Sequence, residues 1–311
     1  MSADTIRIGS RASKLAVWQA EHVRDRLLDA FPALNVELVY ITTSGDRIQD
    51  RSLIEAGGKG LFVKEIEEAL LAEEVDIAVH SMKDVPVVHP EGLHVPVVVQ
   101  RADPRDAFIS RRYGHPAEMP AGARLGTSSQ RRRCQFLHRF PELEVAELRG
   151  NVDTRLRKLD DGEYDAIVLA AAGLKRLGWG GRITTELDPG DSLPAMGQGT
   201  IGIECRAGDG AVEECISAIA HQETTLRTRA EWAFNRRMEG GCQVPMGGYA
   251  ELLSGDRLRL RGMVGELDGS ALLEDEVIGS VDAGAELGRD LAERMLAAGA
   301  ADMLRRANGD G

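Results

Sequence analysis

One cysteine of the chain lies in a glycine-rich segment. Residues 240–248 read GGCQVPMGG, so Cys242 has glycines on both sides. The other three cysteines, Cys134, Cys205 and Cys215, lie among apolar residues typical of helix or strand interiors. A cysteine framed by glycines is well placed to react or to carry a covalent attachment, although a structural thiol is the alternative. No histidine and asparagine framework is evident for it, which argues against a cysteine protease.

Arginines follow hydroxyl residues in a second segment, residues 127–133 (TSSQRRR). Ser128 or Ser129 can cap a helix that begins here, and the backbone N–H groups of its first turn are then available to a ligand. Arginines in that turn oppose the helix dipole, at roughly 0.3–1 kcal/mol each. A bound anion would relieve this repulsion and pair with the guanidinium groups. The alternative is a solvated basic helix end.

The same arrangement recurs in residues 149–155 (RGNVDTR), where a glycine turn and a capping residue stand between arginines. Arg11 and Ser13 follow the first predicted strand and add a third cationic turn. All three turns would lie beyond the carboxyl ends of parallel strands, where open α/β sheets bind ligands. Because the chain lacks a GxxxxGK[ST] phosphate loop, these turns indicate a site for a ligand with several carboxylates.

A single carboxylate stands out in residues 80–86 (HSMKDVP). Asp84 follows a predicted buried strand, and Pro86 favours an extended conformation before it. Asp84 and the neighbouring Lys83 could form an exposed ion pair in a turn, which would contribute negligibly to the free energy of folding. In a cleft rich in arginine, a fixed carboxylate can instead face a developing cation. At about 4 Å and an effective dielectric constant near 20, that attraction is on the order of 4 kcal/mol, which is useful in catalysis.

The composition excludes several classes of protein. The 311 residues are 43% hydrophobic and 28% charged, with a net charge of −12. Residues 101–193 hold 16 lysines and arginines against 14 acidic residues, so the remaining residues carry a charge of −14. The overall negative charge argues against nucleic acid or an anionic membrane as the main partner. With no C-x-x-C pair, we expect no metal site. No signal peptide or apolar run approaching ~20 residues is visible, so we expect a cytoplasmic protein.

Strands alternate with helices through the first part of the chain, which indicates parallel α/β sheets. From about residue 218, two helical segments precede three strand-like segments and a closing helix, which indicates a separate α+β domain. The predicted strands are residues 5–9, 36–41, 76–80, 124–127, 144–148, 165–170, 248–253, 258–264 and 271–278. The predicted helices are residues 14–31, 61–73, 130–140, 152–159, 211–220, 224–238 and 283–298.

Taken together, these segments resemble the porphobilinogen deaminases, also called hydroxymethylbilane synthases. The matching motifs occur in family order over the chain to about residue 250, and as a set they are very specific. They are IGSR at residues 8–11, GGKGLF at 57–62, HSMKDVP at 80–86, GTSS at 126–129, RGNVDTR at 149–155, LPAMGQG at 193–199, GIECR at 202–206 and GGCQVP at 240–245. Gly248 stands where many relatives are expected to have serine.

The resemblance implies an α/β protein with three domains. The first two would be doubly wound domains like those of periplasmic binding proteins, formed by residues 1–99 with 200–217 and by residues 100–199. A smaller α+β domain, residues 218–311, would carry the cofactor cysteine. The resemblance also implies a monomer.

The family chemistry implies that Cys242 holds a dipyrromethane primer through a thioether. Porphobilinogen would lose its aminomethyl nitrogen as ammonia, and the resulting electrophile would be attacked by the free α-carbon of the growing chain. After four additions, hydrolysis would release hydroxymethylbilane, a linear tetrapyrrole for haem biosynthesis. Each pyrrole carries an acetate and a propionate, which agrees with the cationic turns.

Roles for individual residues follow from the resemblance. Asp84 would be catalytic: it would bind pyrrole N–H groups, stabilise the cationic intermediate and assist proton transfers. The expected cofactor-binding residues are Cys242, Lys83, Asp84, Thr127, Ser129, Arg131, Arg132, Arg149, Gly150, Asn151 and Arg155. The expected substrate-binding residues are Arg11, Ser13, Lys59, Phe62, Arg149, Arg155, Arg176 and Gln198. Lys59 and Phe62 would belong to a mobile loop over the cleft.

Two other functions would explain part of the pattern. A two-lobed anion receptor, or the effector domain of a regulator, would account for the arginines and the α/β domains, but it would leave Cys242 unexplained. A cysteine-dependent transferase with a different acidic substrate is the second. Ammonia release and a colour change with porphobilinogen would distinguish the deaminase from both.

Overall fold

A computed structural model describes residues 5–47, 63–240 and 244–308. The chain divides into two compact units, Met1–Ala102 with Thr200–Thr225 and Asp103–Gly199 with Leu226–Gly311. The C-terminal segment thus belongs to the same compact unit as the preceding α/β segment. The division into three domains stays a prediction.

The first unit is built on a five-stranded sheet. Its strands are β1 (Thr5–Ser10), β2 (Asn35–Tyr40), β3 (Ile77–Ser81), β4 (Leu93–Val98) and a strand from late in the sequence, Ile201–Arg206, which is β10 in chain order. Its helices are α1 (Lys14–Ala30), α2 (Ser44–Arg47), α3 (Lys64–Leu71) and α7 (Gly210–Ser217). The strand order is β2-β1-β3-β10-β4. The β1, β2 and β3 strands are parallel, but β10 runs antiparallel to both of its neighbours, so the sheet is mixed rather than parallel as predicted.

The hydrophobic pattern explains the packing of this unit. Helix α1 buries Ala20, Val23 and Leu27, which recur at the helical spacing, against alternate strand residues such as Ile8 and Ile203. Each of the Val, Leu and Ile side chains among them contributes roughly 1.5–3 kcal/mol when it is fully buried. The α1–sheet contact fixes the turn that follows β1.

The second unit contains the other mixed sheet, with the strand order β7-β6-β8-β5-β9. Its strands are β5 (Asp106–Ser110), β6 (Arg124–Gly126), β7 (Glu144–Ala146), β8 (Ala166–Ala170) and β9 (Thr185–Leu187). Its helices are α4 (Gln130–Arg139), α5 (Val152–Asp160) and α6 (Ala171–Arg176). The β6, β7 and β8 strands are parallel, and β5 is antiparallel to β8 and β9.

The rest of the second unit is an antiparallel sheet with helices. The sheet consists of β11 (Met246–Leu253), β12 (Arg257–Gly265) and β13 (Leu272–Ser280) in chain order. The helices are α8 (Gln222–Arg237), whose first residues belong to the first unit, α9 (Gly284–Met295) and α10 (Ala301–Asn308). Phe234, Leu260 and Met295 lie in the shared core. The predicted fold class is confirmed: two α/β sheets and a smaller α+β portion.

Among the described residues, no helix is long and apolar enough to cross a membrane.

Candidate functional site

Three neighbouring strands of the second unit end at the same edge of their sheet. Because β7, β6 and β8 are adjacent and parallel, the residues that follow them converge at this edge. Residues 127–129 follow β6, residues 149–151 come shortly after β7, and α6 with Arg176 follows β8. The structure therefore brings the two cationic turns of the sequence to one edge of this sheet, while Arg176 lies at the far end of α6.

The turn after β6 is an ordered helix start. Ser129 caps α4, and its Oγ accepts a hydrogen bond from the Arg132 backbone N–H at 3.4 Å. Thr127 is buried, and its Oγ1 accepts from the Ser129 N–H at 3.2 Å. Hydroxyl groups and the N-terminus of a ten-residue helix form a site that favours anions.

A cavity of about 450 Å³ opens at this helix start. It is lined by Thr127, Ser128, Ser129, Gln130, Arg133, Glu147, Leu267 and Asp268. Hydrogen bonds from Ser270 keep the pKa of Asp268 below its usual value. The lining thus combines hydroxyl and guanidinium donors with two carboxylates, which suits a ligand with both acidic groups and N–H donors.

The turn that precedes α5 has a similar form. Gly150 has a φ of +110°, and a Cβ there would lie 2.7 Å from Thr154 Cγ2, so the position requires glycine. The Arg155 Nε donates to the Gly150 carbonyl oxygen at 2.7 Å. Asn151 is exposed at the N-cap and its side chain makes no capping hydrogen bond. Arg149 is 28% exposed and forms an ion pair with Glu147.

Arg131 and Arg132 are buried rather than solvated. Both guanidinium groups donate to Asp106, with Arg131 Nη1 at 2.9 Å from Oδ2 and Arg132 Nη2 at 2.7 Å from Oδ1. Burial alone would raise the pKa of Asp106, but the two arginines outweigh it and lower that pKa. Burial lowers the pKa of Arg132, against the effect of Asp106. Two cations against one anion leave an excess positive charge in this cluster.

Asp106 was not among the predicted site residues. It is fully buried and also accepts hydrogen bonds from Ser192 Oγ at 2.7 Å and from Gln198 Nε2 at 2.9 Å. A signal was present in the sequence, since a carboxylate directly precedes the apolar residues 107–109 and buried carboxylates are rarely unpaired. Gln198 is itself 1% exposed, and its contact with substrate stays a prediction.

The Arg176 side chain is partly buried. Its Nη2 donates to the Gly199 carbonyl oxygen at 2.8 Å. Burial lowers the pKa of this guanidinium to about 10. A carboxylate ligand would offset that desolvation.

In the first unit, the predicted residues also follow neighbouring parallel strands. Arg11 and Ser13 follow β1, and the Ser13 Oγ accepts from the Ala16 N–H at 3.4 Å as the cap of α1. Lys83 and Asp84 follow β3 in a short 3₁₀ turn, Met82–Asp84, and the Asp84 side chain is exposed. The structure thus places both pairs at one edge of the first sheet.

Three residues beneath the Asp84 turn form a buried polar cluster that the sequence did not predict. Glu204 on β10 is 1% exposed and contacts His80 Nε2 at 2.9 Å and His89 Nδ1 at 3.2 Å. Burial alone would raise the pKa of Glu204, but the hydrogen bonds from the two histidines outweigh it and lower the pKa to about 2. The carboxylate is therefore ionised at neutral pH.

The surroundings of the three described cysteines make their thiols unreactive. Cys134, Cys205 and Cys215 are all buried. Burial raises the pKa of Cys134 and of Cys205 to about 12, and it also raises the pKa of Cys215. Thiolates, the nucleophilic form, are thus disfavoured at all three positions. Cys242, Lys59 and Phe62 lie outside the described residues.

Solved structures with a related arrangement include several periplasmic proteins. A periplasmic substrate-binding protein of an ABC transporter from Coxiella burnetii is 13% identical, with a TM-score of 0.45 over 71% of this chain and 95% of that one. The periplasmic VFT2 domain of BvgS from Bordetella pertussis is 15% identical, with a TM-score of 0.42 over 71% and 91%. Likenesses at this level carry no conclusion about fold or ligand.

Two family profiles match the chain. The profile described as "Porphobilinogen deaminase, dipyromethane cofactor binding domain" matches residues 6–214. The profile described as "Porphobilinogen deaminase, C-terminal domain" matches residues 225–297. Together they cover both units and most of the sequence. The chain belongs to the porphobilinogen deaminase family.

Proposed function

We propose that Cys242 carries the dipyrromethane cofactor of this enzyme through a thioether and that Asp84 is its catalytic carboxylate. Membership of the family makes the chain a hydroxymethylbilane synthase with a dipyrromethane cofactor-binding domain. Its family substrate is porphobilinogen. The proposal concerns which residues of this chain perform the reaction.

One observation supports the proposal most directly: the donors at the carboxyl edge of the second sheet suit a ligand with several carboxylates. Thr127 and Ser129 supply hydroxyl groups at one helix start, and Arg149 and Arg155 flank the next. The Arg131–Arg132–Asp106 cluster adds a positive charge. Within the described residues, the buried Arg131 Nε has no hydrogen-bond partner.

These residues fit a dipyrromethane, which carries acetate and propionate groups. Thr127, Ser129, Arg131, Arg132, Arg149, Gly150, Asn151 and Arg155 would hold its carboxylates, and Lys83 would add a further cation. When bound, the dipyrromethane supplies a terminal pyrrole ring with a free α-carbon that is extended. The buried state of the three described cysteines supports Cys242 as the attachment site.

The chain's own residues supply binding and electrostatics. Asp84 accepts hydrogen bonds from pyrrole N–H groups and stabilises positive charge that develops when ammonia leaves the substrate. Its carboxylate also takes up and returns the proton that must move at the reacting carbon. Arg11, Ser13, Lys59, Phe62, Arg149, Arg155, Arg176 and Gln198 bind the carboxylates and ring of the incoming porphobilinogen.

We also propose that the enzyme is a cytoplasmic monomer with three domains, formed by residues 1–99 with 200–217, residues 100–199 and residues 218–311. Light scattering of the purified protein at several concentrations tests the monomer. A mass that rises to twice the chain mass of 33.7 kDa would contradict it.

The intact mass of the purified protein tests the attachment site. We expect an excess over the polypeptide mass that matches a linked pyrrole pair, and we expect Cys242→Ala to lack it. Cys215→Ala is the matched control, because it removes a buried thiol from α7 and should keep the excess mass. Bare polypeptide mass in the wild type, persisting after incubation with porphobilinogen, would overturn the proposal.

A further inference from the structure

We propose that Glu204 is a positioning residue for Asp84 and acts through His80 and His89. This inference rests on the proposed catalytic role of Asp84. It assigns a task to a buried carboxylate that makes no contribution to the ligand-binding turns described above.

One carboxylate holds both ends of the segment that carries Asp84. His80 precedes Asp84 by four residues and His89 follows it by five. Glu204 Oε2 lies 2.9 Å from His80 Nε2, and Glu204 Oε1 lies 3.2 Å from His89 Nδ1. An ionised carboxylate only accepts hydrogen bonds, so both histidine nitrogens donate to it. The two oxygens of Glu204 therefore close residues 80–89 into a loop.

The strand that carries Glu204 and the residue just before that strand hold the same segment at two further points. The Met82 N–H donates to the Thr200 carbonyl oxygen at 3.0 Å. A Cβ at Gly202 would lie 2.0 Å from Met82 Sδ, so the absence of a side chain lets Met82 pack against β10. Gly202 and Glu204 are alternate residues of β10 and therefore lie on one face of the strand. This face, together with the Thr200 carbonyl just before the strand, forms the support for the Asp84 turn.

The support contains the charged Glu204 carboxylate and is largely shielded from water. The side chains of His80 and Glu204 are 5% and 1% exposed. Glu67 on α3 is a buried carboxylate next to this three-residue cluster. Burial raises its pKa, and the negative charge of Glu204 raises it further. A hydrogen bond to a charged, buried acceptor is stronger than a neutral one, so the Glu204 contacts restrain both ends of the segment.

Restraint matters here because Asp84 itself is exposed. Its position comes from the backbone of a three-residue turn rather than from packing of its own side chain. Misplacing a catalytic group by about 1 Å can lower a rate by roughly 100-fold. Supporting hydrogen bonds are the usual means of holding such a group in place.

The test uses the cofactor-loaded enzyme with Glu204→Gln. Its amide presents one acceptor oxygen and one NH₂ donor where the carboxylate presents two acceptor oxygens, so one histidine loses its acceptor and both lose the negative charge. We expect kcat to fall by roughly 10- to 100-fold, with KM changed less than about threefold and the excess cofactor mass retained. Glu67→Gln is the matched control: it removes a neighbouring carboxylate but keeps the two histidine contacts, and it should keep kcat within about twofold. A wild-type kcat in Glu204→Gln would overturn the proposal.

A second variant covers the possibility that Glu204→Gln does not fold. His89→Ala removes one contact at the less buried end of the segment, where the side chain is 11% exposed, and we expect a fall in kcat of about tenfold with KM unchanged. A wild-type kcat in this variant would also overturn the proposal.

A double-mutant cycle separates this inference from the proposed function. If Glu204 acts through Asp84, adding Glu204→Gln to Asp84→Ala lowers the residual rate no further. Additive losses would overturn the positioning role. Wild-type activity in Asp84→Ala alone would instead overturn the catalytic role of Asp84.

Discussion

Arg132 and Asp106 form a buried ion pair, with Arg132 Nη2 2.7 Å from Asp106 Oδ1 and exposures of 6% and 0% for the two side chains. Arg131 binds the other oxygen of the same carboxylate at 2.9 Å. The pair ties the start of α4 to β5. Removing Asp106 would leave both guanidinium groups without a compensating charge in the interior, with side-chain exposures of 4% and 6%.

We expect Asp106→Ala to destabilise the second unit. Losing one member of a buried ion pair costs about 3–5 kcal/mol, because the remaining charge is left desolvated. Chemical denaturation would measure the change in the free energy of unfolding. Glu144→Ala, which breaks the exposed pair with Arg124, is the control and should cost no more than ~1 kcal/mol. Equal effects of the two substitutions would show that the Asp106 cluster is not structural.

Asp84→Ala should abolish turnover without unfolding the protein. The side chain is exposed, and surface substitutions usually change stability by less than about 0.5 kcal/mol. Ammonia release and product formation from porphobilinogen would measure the rate. Glu91→Ala removes another exposed carboxylate of the first unit and should leave the rate unchanged. A rate above roughly a tenth of the wild type in Asp84→Ala would remove this residue from the mechanism, since a positioned charge is worth far more than tenfold.

Arg149→Ala should weaken cofactor loading or chain extension. Its ion pair with Glu147 is partly exposed, at 28% and 58%, so its loss should cost stability little. Intact mass would report the loading, and stopped reactions would report the lengths of the pyrrole chains. Arg157→Ala, an exposed arginine of the helix α5 that follows this turn, should behave like the wild type. Full loading together with unchanged kinetics in Arg149→Ala would contradict the assignment.

The stability that Glu204 supplies should depend on pH. Its pKa is lowered from 4.5 to about 2, so its contribution is present above the unfolded value and is lost as the pH falls from about 4.5 towards 2. A shift of this size corresponds to a contribution on the order of 3 kcal/mol. Unfolding of the wild type and Glu204→Gln between pH 7 and pH 3.5 would measure it. The difference between the two proteins should shrink on acidification, and a constant difference would contradict the linkage.

The parallel strands were predictable because they alternate with amphipathic helices, as β1 and α1 do. The three antiparallel strands β11, β12 and β13 were also predicted, but β4, β5, β9 and β10 of the two mixed sheets were not. β4 contains Pro96, which is tolerated because β4 lies at the edge of its sheet. β5 begins with Asp106, and β10 contains Gly202 and Glu204, residues that weaken a strand pattern.

How much of the site could be predicted depended on how close its residues lie in the sequence. The cationic turns were visible because their hydroxyl, glycine and arginine residues are neighbours in the sequence. The partners of Asp106 and Glu204 lie 25 and 124 residues away, and no local pattern reports such distances. Arg131 and Arg132 were expected to bind an anionic ligand at a helix start, with a solvated helix end as the alternative, and only the fold revealed that Asp106 neutralises part of their charge.

The position of β10 has a consequence for synthesis of the chain. This strand lies between β3 and β4, yet it leaves the ribosome more than one hundred residues after them. Until Ile201–Arg206 is made, β3 and β4 lack their common partner, and unpaired strand edges are prone to association with other chains. Nascent chains that stall before residue 201 would therefore be the ones that need chaperone protection, since they lack both the sheet's missing strand and the acceptor for His80 and His89.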